Sequence, residues 1–453
     1  MAKKDKQKDT LLQAPKGMRD ILPEEYYFYQ NFFEKAEEVA NYYGFQPIQT
    51  PHLEKMDLFT AAVGKTTDIV EKQMFTLKTR GGDRLVLRPE ATAPVLRAYL
   101  KYGMHTRPQP VMLWYKGSFF RHENPQAGRS REFQAFGLEI IGEENSIADA
   151  TIIKVATTIL EELGLTQFIV HINSIGDKEC RGAYRKELTN YYRRKINHLC
   201  KDCKRRLKEN PLRLLDCKEE SCKELKKEAP QMINFLCPNC KTHFREVLEI
   251  LDTLNIPYFL DHYLVRGLDY YSRTVFEFFL DSPRSPQGEA GEKNESSEKP
   301  SLFADLAMGG GGRYDYLSKA ISNKDIPAAG MAFGVDRVIM ALTEKKLFRQ
   351  RVKTPKIFFL QIGALAKRKS LLLTEMFRKA NIPLAQSVTK DSFKSQLKIA
   401  GRLGTSLILI LGQKEALEET VIVRDLGLGG QDIIPFSETV EFVKNKLKEK
   451  KHG

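Results

Sequence analysis

The spacing of hydrophobic and polar residues predicts a long β-hairpin between residues 111 and 142. An aromatic-rich run extends to Phe120, a polar segment with a proline and a glycine follows, and an alternating run extends from Phe133 to Ile141. Alternation with a period of two is typical of β-strands, and proline and glycine favour the turn between them. We therefore predict two strands that flank a basic loop.

The same pattern predicts helices and strands along the rest of the chain. Apolar residues recur at helical spacing over 24–43 and stop at Gly44, which indicates a helix, and an extended segment over 45–51 should follow. Further strands are predicted at 85–87, 168–172, 357–362, 384–388, 407–411, 421–423 and 433–436. Because the last five of these alternate with helices, we predict an α/β domain of about a hundred residues at the end of the chain.

Each strand of the hairpin should present one patterned face, because side chains alternate across a strand. The residues that would share a face are Tyr115, Gly117, Phe119 and Arg121 in the first strand and Phe133, Ala135, Gly137 and Glu139 in the second. If the two faces coincide, they form a trough for a flat ring joined to phosphates, in which Arg121 binds a phosphate bidentately and Phe133 stacks on the ring. The alternative is an ordinary amphipathic hairpin with a solvated basic loop.

A second candidate site lies where the strand at 85–87 ends and a helix running to Leu100 begins. Glu90 and Thr92 follow Pro89 at this corner. A carboxylate and a hydroxyl there can bind an ammonium group, and a carboxylate also suits the first turn of a helix. Simple helix capping is the alternative interpretation.

The run over 264–277 places Arg266 before a glycine and two tyrosines, Tyr270 and Tyr271. The glycine allows the backbone to approach a ligand, and the tyrosines can donate hydrogen bonds to an imidazole or an amino group. Tyr314 follows a run of four glycines, and Arg337 lies in the first turns of a helix that small residues precede. A cation near the positive end of a helix is locally unfavourable, which favours a functional role for Arg337.

The net charge of +14 and the isoelectric point near 9.2 favour a nucleic-acid partner, although a ribosomal or membrane-surface protein would show the same balance. The first ten residues are charged and have no apolar core behind them, so we predict no secretory signal. No apolar run approaches the length of a membrane span. We therefore expect a cytoplasmic protein without a membrane partner.

Two CxxC pairs, Cys200 with Cys203 and Cys237 with Cys240, predict a structural zinc site without a catalytic role. Each pair presents two thiolates on a tight turn, and four thiolates complete a tetrahedral site. Cys217 and Cys222 lie in the segment between the pairs. The alternative is a helical insertion with reduced free thiols.

These motifs together resemble those of histidyl-tRNA synthetases, a family of the class II aminoacyl-tRNA synthetases. The run FRHE, its loop and the runs REF and GLE resemble motif 2 of the class; residues 24–51 resemble motif 1, and 328–342 resemble motif 3. The segments 264–277 and 309–315 resemble the two histidyl-specific motifs, and RPE-x-T at 88–92 resembles a segment that contacts the amino acid. The similarity covers nearly the whole chain in the expected order.

The resemblance implies the fold and its division into domains. We expect an α/β protein of the α+β kind, with a class II catalytic core on a mixed, mainly antiparallel sheet. The expected parts are the core over 1–177 and 262–346, a helical insertion domain over 178–261, a disordered loop over 281–301, a linker over 347–354 and an anticodon-binding domain over 355–453. Motif 1 implies a homodimer.

The resemblance also assigns roles to the candidate residues in the ATP-dependent ligation of L-histidine to tRNA(His) through an adenylate. Arg121 and Arg266 are expected to act in catalysis on the α-phosphate, with Mg²⁺ on the other phosphates of ATP. The histidine-binding residues are expected to be Glu90, Thr92, Glu139, Tyr270, Tyr271 and Tyr314, and the ATP-binding residues Arg121, Phe133, Glu139 and Arg337.

The chain departs from the family at Ala135, where a glutamine that contacts the substrate is usual. Loss of a hydrogen bond to a charged group costs about 1.5 to 3 kcal/mol unless water or a neighbour such as Gln134 compensates. Two competing functions stay open at this point: a non-catalytic regulatory paralogue of histidine biosynthesis, and a zinc-dependent RNA-binding protein. The regulatory paralogues typically lack the Arg266 motif and the carboxy-terminal domain, which this chain has.

Overall fold

The chain divides into two compact units, Met1–Gln350 and Arg351–Gly453, and each is described by itself. In the computed structural model the described residues are 12–64, 67–280, 306–347, 355–388, 392–427 and 429–452. The predicted disordered loop over 281–301 lies outside the described residues, and so does the predicted linker over 347–354 apart from its first residue.

The first unit is built on an eight-stranded sheet. Its strands, and those of a smaller sheet beside it, are β1 (Gln46–Pro47), β2 (Leu53–Lys55), β3 (Phe75–Lys78), β4 (Arg84–Leu87), β5 (Val111–Phe120), β6 (Glu132–Ile141), β7 (Phe168–Ser174), β8 (Tyr258–Leu260), β9 (Ser272–Leu280), β10 (Gly309–Arg313) and β11 (Ala328–Gly334). The large sheet has the order β1-β5-β6-β11-β10-β9-β7-β8, and the small one the order β2-β4-β3. Only β1 with β5 and β7 with β8 pair in parallel among the described strands of this unit. The mixed, mainly antiparallel sheet is therefore confirmed.

Helices cover one face of the large sheet and leave the middle of the other face to the candidate site. The helices of this unit are α1 (Pro23–Tyr42), α2 (Met56–Val63), α3 (Thr92–Lys101), α4 (Ser146–Glu162), α5 (Lys178–Arg194), α6 (Lys201–Glu209), α7 (Glu220–Lys226), α8 (Pro238–Thr253), α9 (Leu317–Ile321) and α10 (Val335–Glu344). Phe32 of α1 packs against Phe136 and Phe333 of the sheet, and buried residues of α4 and α10 join the same core. An apolar layer of this kind anchors the strands that carry the site.

Helices α5, α6 and α7 leave the sheet after β7 and form a satellite with a small core of its own. Tyr184, Leu188 and Tyr192 on one face of α5 form this core together with buried cysteines. Helix α8 then returns to the large sheet, because Phe244, Val247 and Leu251 are buried in the main core.

The second unit is a five-stranded mixed sheet with helices on both faces. Its elements are β12 (Ile357–Gln361), α11 (Ala364–Lys379), β13 (Leu384–Gln386), α12 (Phe393–Arg402), β14 (Leu407–Leu411), α13 (Gln413–Glu418), β15 (Thr420–Asp425), β16 (Gln431–Pro435) and α14 (Phe436–His452), and the strand order is β13-β12-β14-β15-β16. Residues of α11, α13 and α14 pack on one face, and Ala400 of α12 packs on the other. The five predicted strands of this α/β domain are confirmed.

The largest difference from the predicted elements lies at 45–51, where only Gln46–Pro47 forms a strand. Pro47 and Pro51 have no backbone N–H to donate, so pairing along this segment stays short. Among the described residues, no helix combines the length and the apolar character needed to cross a membrane.

Candidate active site

A cavity of about 270 Å³ opens on the face of β5 and β6 opposite the face that α1 packs against. The strands pair with Tyr115 opposite Gly137, Gly117 opposite Ala135 and Phe119 opposite Phe133. This register confirms that the two predicted faces coincide. The floor is less bare than expected, because a Cβ atom at Gly137 would lie only 2.2 Å from Cζ of Tyr115, whose ring covers that position.

Glu90, Thr92, Glu139 and Tyr314 form what we call the acidic end of the site. The Glu90 carboxylate accepts hydrogen bonds from the backbone N–H groups of Thr92 (2.7 Å) and Ala93 (3.1 Å), so it caps α3 while it lines the cavity. The Thr92 hydroxyl donates to Glu139 Oε1 at 2.8 Å, and the Tyr314 hydroxyl donates to the other carboxylate oxygen. Glu90 therefore caps α3 and lines the cavity at the same time, so the two interpretations of this residue are compatible.

Glu139 and Tyr314 lie beneath the lining of the cavity and not in it. Both side chains are almost fully buried, while Glu90 and Thr92 line the cavity above them. Only glycine fits at 330, because a Cβ there would lie 1.7 Å from Glu139 Oε2. The structure thus brings the predicted histidine-binding residues together but places two of them behind the others.

Burial shifts both carboxyl groups at this end toward their neutral forms. Loss of solvent raises the pKa of Glu90 to about 7, against the lowering effect of its two backbone hydrogen bonds. Burial likewise raises the pKa of Glu139 to about 8, and the hydrogen bonds from Tyr314 and Thr92 oppose this change. Glu90 therefore titrates near neutral pH.

Arg121, Arg129, Arg266 and Arg337 all line the cavity, and we call this group the arginine end. Arg121 Nε donates to the carbonyl of Pro89 at 3.0 Å, and the guanidinium carbon lies 5.3 Å from the ring centroid of Phe133. Arg337 donates to the carbonyls of Gly128 and Ala307, both at 2.8 Å. Burial, followed by the charges of Arg129 and Arg121, lowers the pKa of Arg337 to about 10. Such a concentration of cations favours a polyanionic ligand.

Arg266 forms an ion pair with Glu277, and its guanidinium carbon lies 5.8 Å from the ring centroid of Tyr271. Tyr270 and Tyr271 also line the cavity, with their ring centroids 4.7 Å apart. Within the described ranges, Arg266 Nε is buried and has no hydrogen-bond partner. A ligand oxygen at this place would satisfy that donor.

Sequence reasoning did not single out three lining residues that form a chain of hydrogen bonds. Arg19 Nη2 donates to the Tyr29 hydroxyl at 3.0 Å, and Tyr29 donates to Asp336 Oδ1 at 2.6 Å. The other oxygen of Asp336 accepts from the backbone N–H of Gln134 at 2.8 Å. The available signal was the position of Asp336 directly before Arg337; the other two residues lie about 300 positions away, beyond the range of local patterns.

Ala135 lines the cavity, but its neighbour Gln134 faces the opposite side of the sheet, where its Nε2 donates to the Ser118 hydroxyl at 2.7 Å. Adjacent residues of a strand point to opposite faces. Gln134 therefore does not replace the missing amide at 135.

The four cysteines predicted to bind one zinc ion do not meet at one point, which corrects the predicted ligand set. Cys200 and Cys203 lie with Cys217 and Cys222, whereas Cys237 and Cys240 lie with Cys180 and Asp177. Each CxxC pair begins a different helix, α6 or α8, and its remaining neighbours come from other segments.

A hairpin that presents an arginine beside a phenylalanine ring, together with a second arginine on a helix after a strand of mainly small residues, is typical of the catalytic core of a class II aminoacyl-tRNA synthetase. The family model for histidyl-tRNA synthetase matches residues 17–299, and a model for an anticodon-binding domain matches residues 357–446. The chain belongs to the histidyl-tRNA synthetase family.

Individual members of the family are similar to this chain over nearly its full length. The histidine--tRNA ligase of Natranaerobius thermophilus is 39% identical over 435 residues, which cover 96% of this chain and 99% of the relative. That of Dehalococcoides mccartyi is 39% identical over 437 residues, which cover 96% of this chain and all of the relative. The crystal structure of the apo histidyl-tRNA synthetase of S. aureus is similar with a TM-score of 0.75 at 29% identity, over 95% of this chain and 99% of that one.

Proposed function

We propose that the chain is a histidine--tRNA ligase that joins L-histidine to tRNA(His) through histidyl-adenylate, with release of pyrophosphate and then AMP. The observation that carries the proposal is the lining of one cavity, which combines the buried carboxyl group of Glu90, with Glu139 beneath it, and four arginines. An amino acid and a nucleoside triphosphate have this complementary pattern of charge. The regulatory and RNA-binding alternatives are not favoured, because the relatives carry the name of the ligase.

The acidic end would hold histidine. Its ammonium group would bind Glu90 and the Thr92 hydroxyl, and its imidazole would lie against Tyr270 and Tyr271. Glu139 and Tyr314 would act indirectly. Glu139 would hold the Thr92 hydroxyl in position, and Tyr314 would hold Glu139. The carboxylate of histidine would point toward the arginine end.

The arginine end would hold ATP. Phe133 would stack on adenine, Arg121 and Arg266 would bind the α-phosphate, and Arg337 would bind the γ-phosphate. A histidine carboxylate oxygen attacks the α-phosphorus as the bond to the bridging oxygen of pyrophosphate breaks. Charge that develops on the α-phosphate in this step is stabilised by arginines that backbone carbonyls and ring contacts already hold in position. A hydroxyl of the terminal ribose of tRNA then attacks the acyl carbon and AMP leaves.

Mg²⁺ would enter with ATP and neutralise the charge of its β- and γ-phosphates. Mg²⁺ takes oxygen ligands, usually from one or two carboxylates together with phosphates and water. Glu123 and Glu277 line the arginine end and are the carboxylates available for this role, and each also pairs with an arginine.

The second unit would bind the anticodon, in keeping with the domain model that matches it.

We also propose a homodimer. Leu22, Tyr26 and Tyr27 at the start of α1 are exposed apolar or aromatic side chains that a second copy would cover. Because charged tRNA is consumed by translation, the site of action would be the cytoplasm.

Histidine-dependent ATP–pyrophosphate exchange on the purified chain tests the proposal, with each of the other amino acids as a control. We expect exchange with histidine alone, followed by charging of tRNA(His). Folded protein that catalyses no exchange with any amino acid would overturn the ligase assignment.

A further inference from the structure

All seven cysteines of the chain lie in or beside the insertion, and they form two groups. We call Cys200, Cys203, Cys217 and Cys222 the four-cysteine cluster, and Asp177, Cys180, Cys237 and Cys240 the mixed cluster. Within each cluster the potential ligand atoms lie within 4.8 Å of one another. We propose that each cluster binds one zinc ion, so that the chain holds two structural zinc ions at separate sites.

The sulfur positions of the four-cysteine cluster match tetrahedral zinc. Four thiolates at about 2.3 Å from one ion lie about 3.8 Å apart, and Cys200 Sγ lies 3.8 Å from Cys217 Sγ. Backbone N–H groups also point at the sulfurs: that of Cys203 at Cys200 Sγ and that of Cys200 at Cys222 Sγ, both at 3.4 Å. Such donors stabilise the negative charge of bound thiolates.

The mixed cluster offers three sulfurs and one carboxylate oxygen. Asp177 Oδ2 lies 3.8 Å from Cys237 Sγ, close to the separation of about 3.5 Å expected for an oxygen and a sulfur on one zinc ion. The other oxygen, Oδ1, accepts from the backbone N–H of Cys180 at 3.0 Å, which orients the carboxylate. Cys180 Sγ accepts from the backbone N–H of Cys237 at 3.0 Å, and Cys237 Sγ accepts from that of Cys240 at 3.5 Å.

Neither disulfides nor packing alone explains this arrangement. The seven cysteines are free, and a separation of 3.8 Å between sulfurs is well above the disulfide bond length of about 2.0 Å. Ordinary apolar packing would not require all seven cysteines to gather into two groups of four potential ligands. Two of the helices concerned, α6 and α7, have nine and seven residues, lengths at which a helix needs tertiary support.

The two sites would have different structural tasks. Asp177 lies three residues after the end of β7 and caps α5, and Cys237 and Cys240 begin α8, so the mixed cluster joins the segment that leaves the core to the segment that returns to it. The four-cysteine cluster anchors α6, whose Arg205 and Arg206 form ion pairs with Glu71 and Asp68 of the core. Zinc at this cluster would hold those arginines in place. This assignment does not depend on the ligase activity.

Metal content of the full chain tests the proposal directly. Protein purified under reducing conditions, supplied with zinc and then dialysed, should contain two zinc ions per chain by elemental analysis and native mass spectrometry. Cys217→Ser and Cys180→Ser should each retain one ion, and the double variant none. Asp177→Asn should weaken one site, whereas Asp252→Asn, an exposed carboxylate near the end of α8, should keep both ions.

A second measurement on the unchanged protein avoids variants that fail to fold. With zinc bound, all seven cysteines should resist alkylation, and a chelator should expose them in two sets that follow the two clusters. Fewer than two zinc ions per chain, iron in place of zinc, or disulfide-linked cysteines would each overturn the proposal.

Discussion

The acidic and arginine ends of the cavity are prepared for their ligands in different ways. At the acidic end, buried groups satisfy one another: Thr92 and Tyr314 donate to Glu139, and the helix backbone donates to Glu90. At the arginine end, Arg121 and Arg337 are held by backbone carbonyls on one edge of the guanidinium group while the group still lines the cavity. The carboxyl groups of the first end gain a charge only by losing a proton. The arginines of the second end carry permanent charge, although Arg266 and Arg129 already pair with Glu277 and Glu123.

The largest effect should follow from removing permanent charge at the arginine end. We expect Arg121→Ala to lower the rate of histidine-dependent exchange by about 10²- to 10³-fold, because one donor that stabilises charge in the transition state is worth about 3 to 4 kcal/mol. The control is Arg80→Ala, which removes an exposed arginine and should leave the rate unchanged. Equal rates for the two variants would show that Arg121 does not bind the reacting phosphate.

A smaller and more selective effect should follow at the acidic end. Glu90→Gln keeps the shape of the side chain but removes the charge opposite the ammonium group, so we expect the KM for histidine to rise by about 10- to 100-fold, or about 1.5 to 3 kcal/mol. The KM for ATP should change little. Glu438→Gln, an exposed carboxylate in the first turn of α14, serves as the matched control. A rise in the KM for ATP of the same size would contradict the division into two ends.

The pH dependence of histidine binding should reveal the carboxyl group with the raised pKa. Because Glu90 has a pKa of about 7, it is mainly neutral below that pH and must lose its proton to bind the ammonium group. Between pH 7 and pH 6 the affinity for histidine should fall by about fivefold, and near pH 7 calorimetry in buffers of different ionisation enthalpy should detect release of a proton. Glu90→Gln should reduce this proton release to the small part that the imidazole of free histidine, with a pKa of about 6.5, contributes. A larger release in the variant would come from another group.

The smallest effect should follow from restoring the amide that the family usually has at 135. Ala135→Gln places a hydrogen-bonding group in the lining of the cavity, and we expect the KM for histidine or ATP to fall by about two- to fivefold, or about 0.5 to 1 kcal/mol. Ala380→Gln, at the exposed end of α11, is the control for the substitution itself. A higher KM would mean that the space at 135 is already filled by the substrate.

Local patterns predicted most of the elements and part of the site. The alternation over 111–142 was enough to predict both strands and their coinciding faces, because the period of a strand decides which side chains point the same way. The alternation did not predict how deeply each side chain is buried. Glu139 lies on the same face as Ala135, yet Gly330 on the neighbouring strand packs against it and buries it below the cavity.

The cysteines show most clearly what the sequence alone determined about this protein. The CxxC spacing predicted two pairs of thiols on tight turns, and each pair does begin a helix. Which other ligands complete each group depended on the path of the chain, since Asp177 and Cys180 meet Cys237 only where the first turns of α5 and α8 come together. Spacing along the chain specifies neighbours within a turn, and only tertiary packing brings together residues about 60 positions apart.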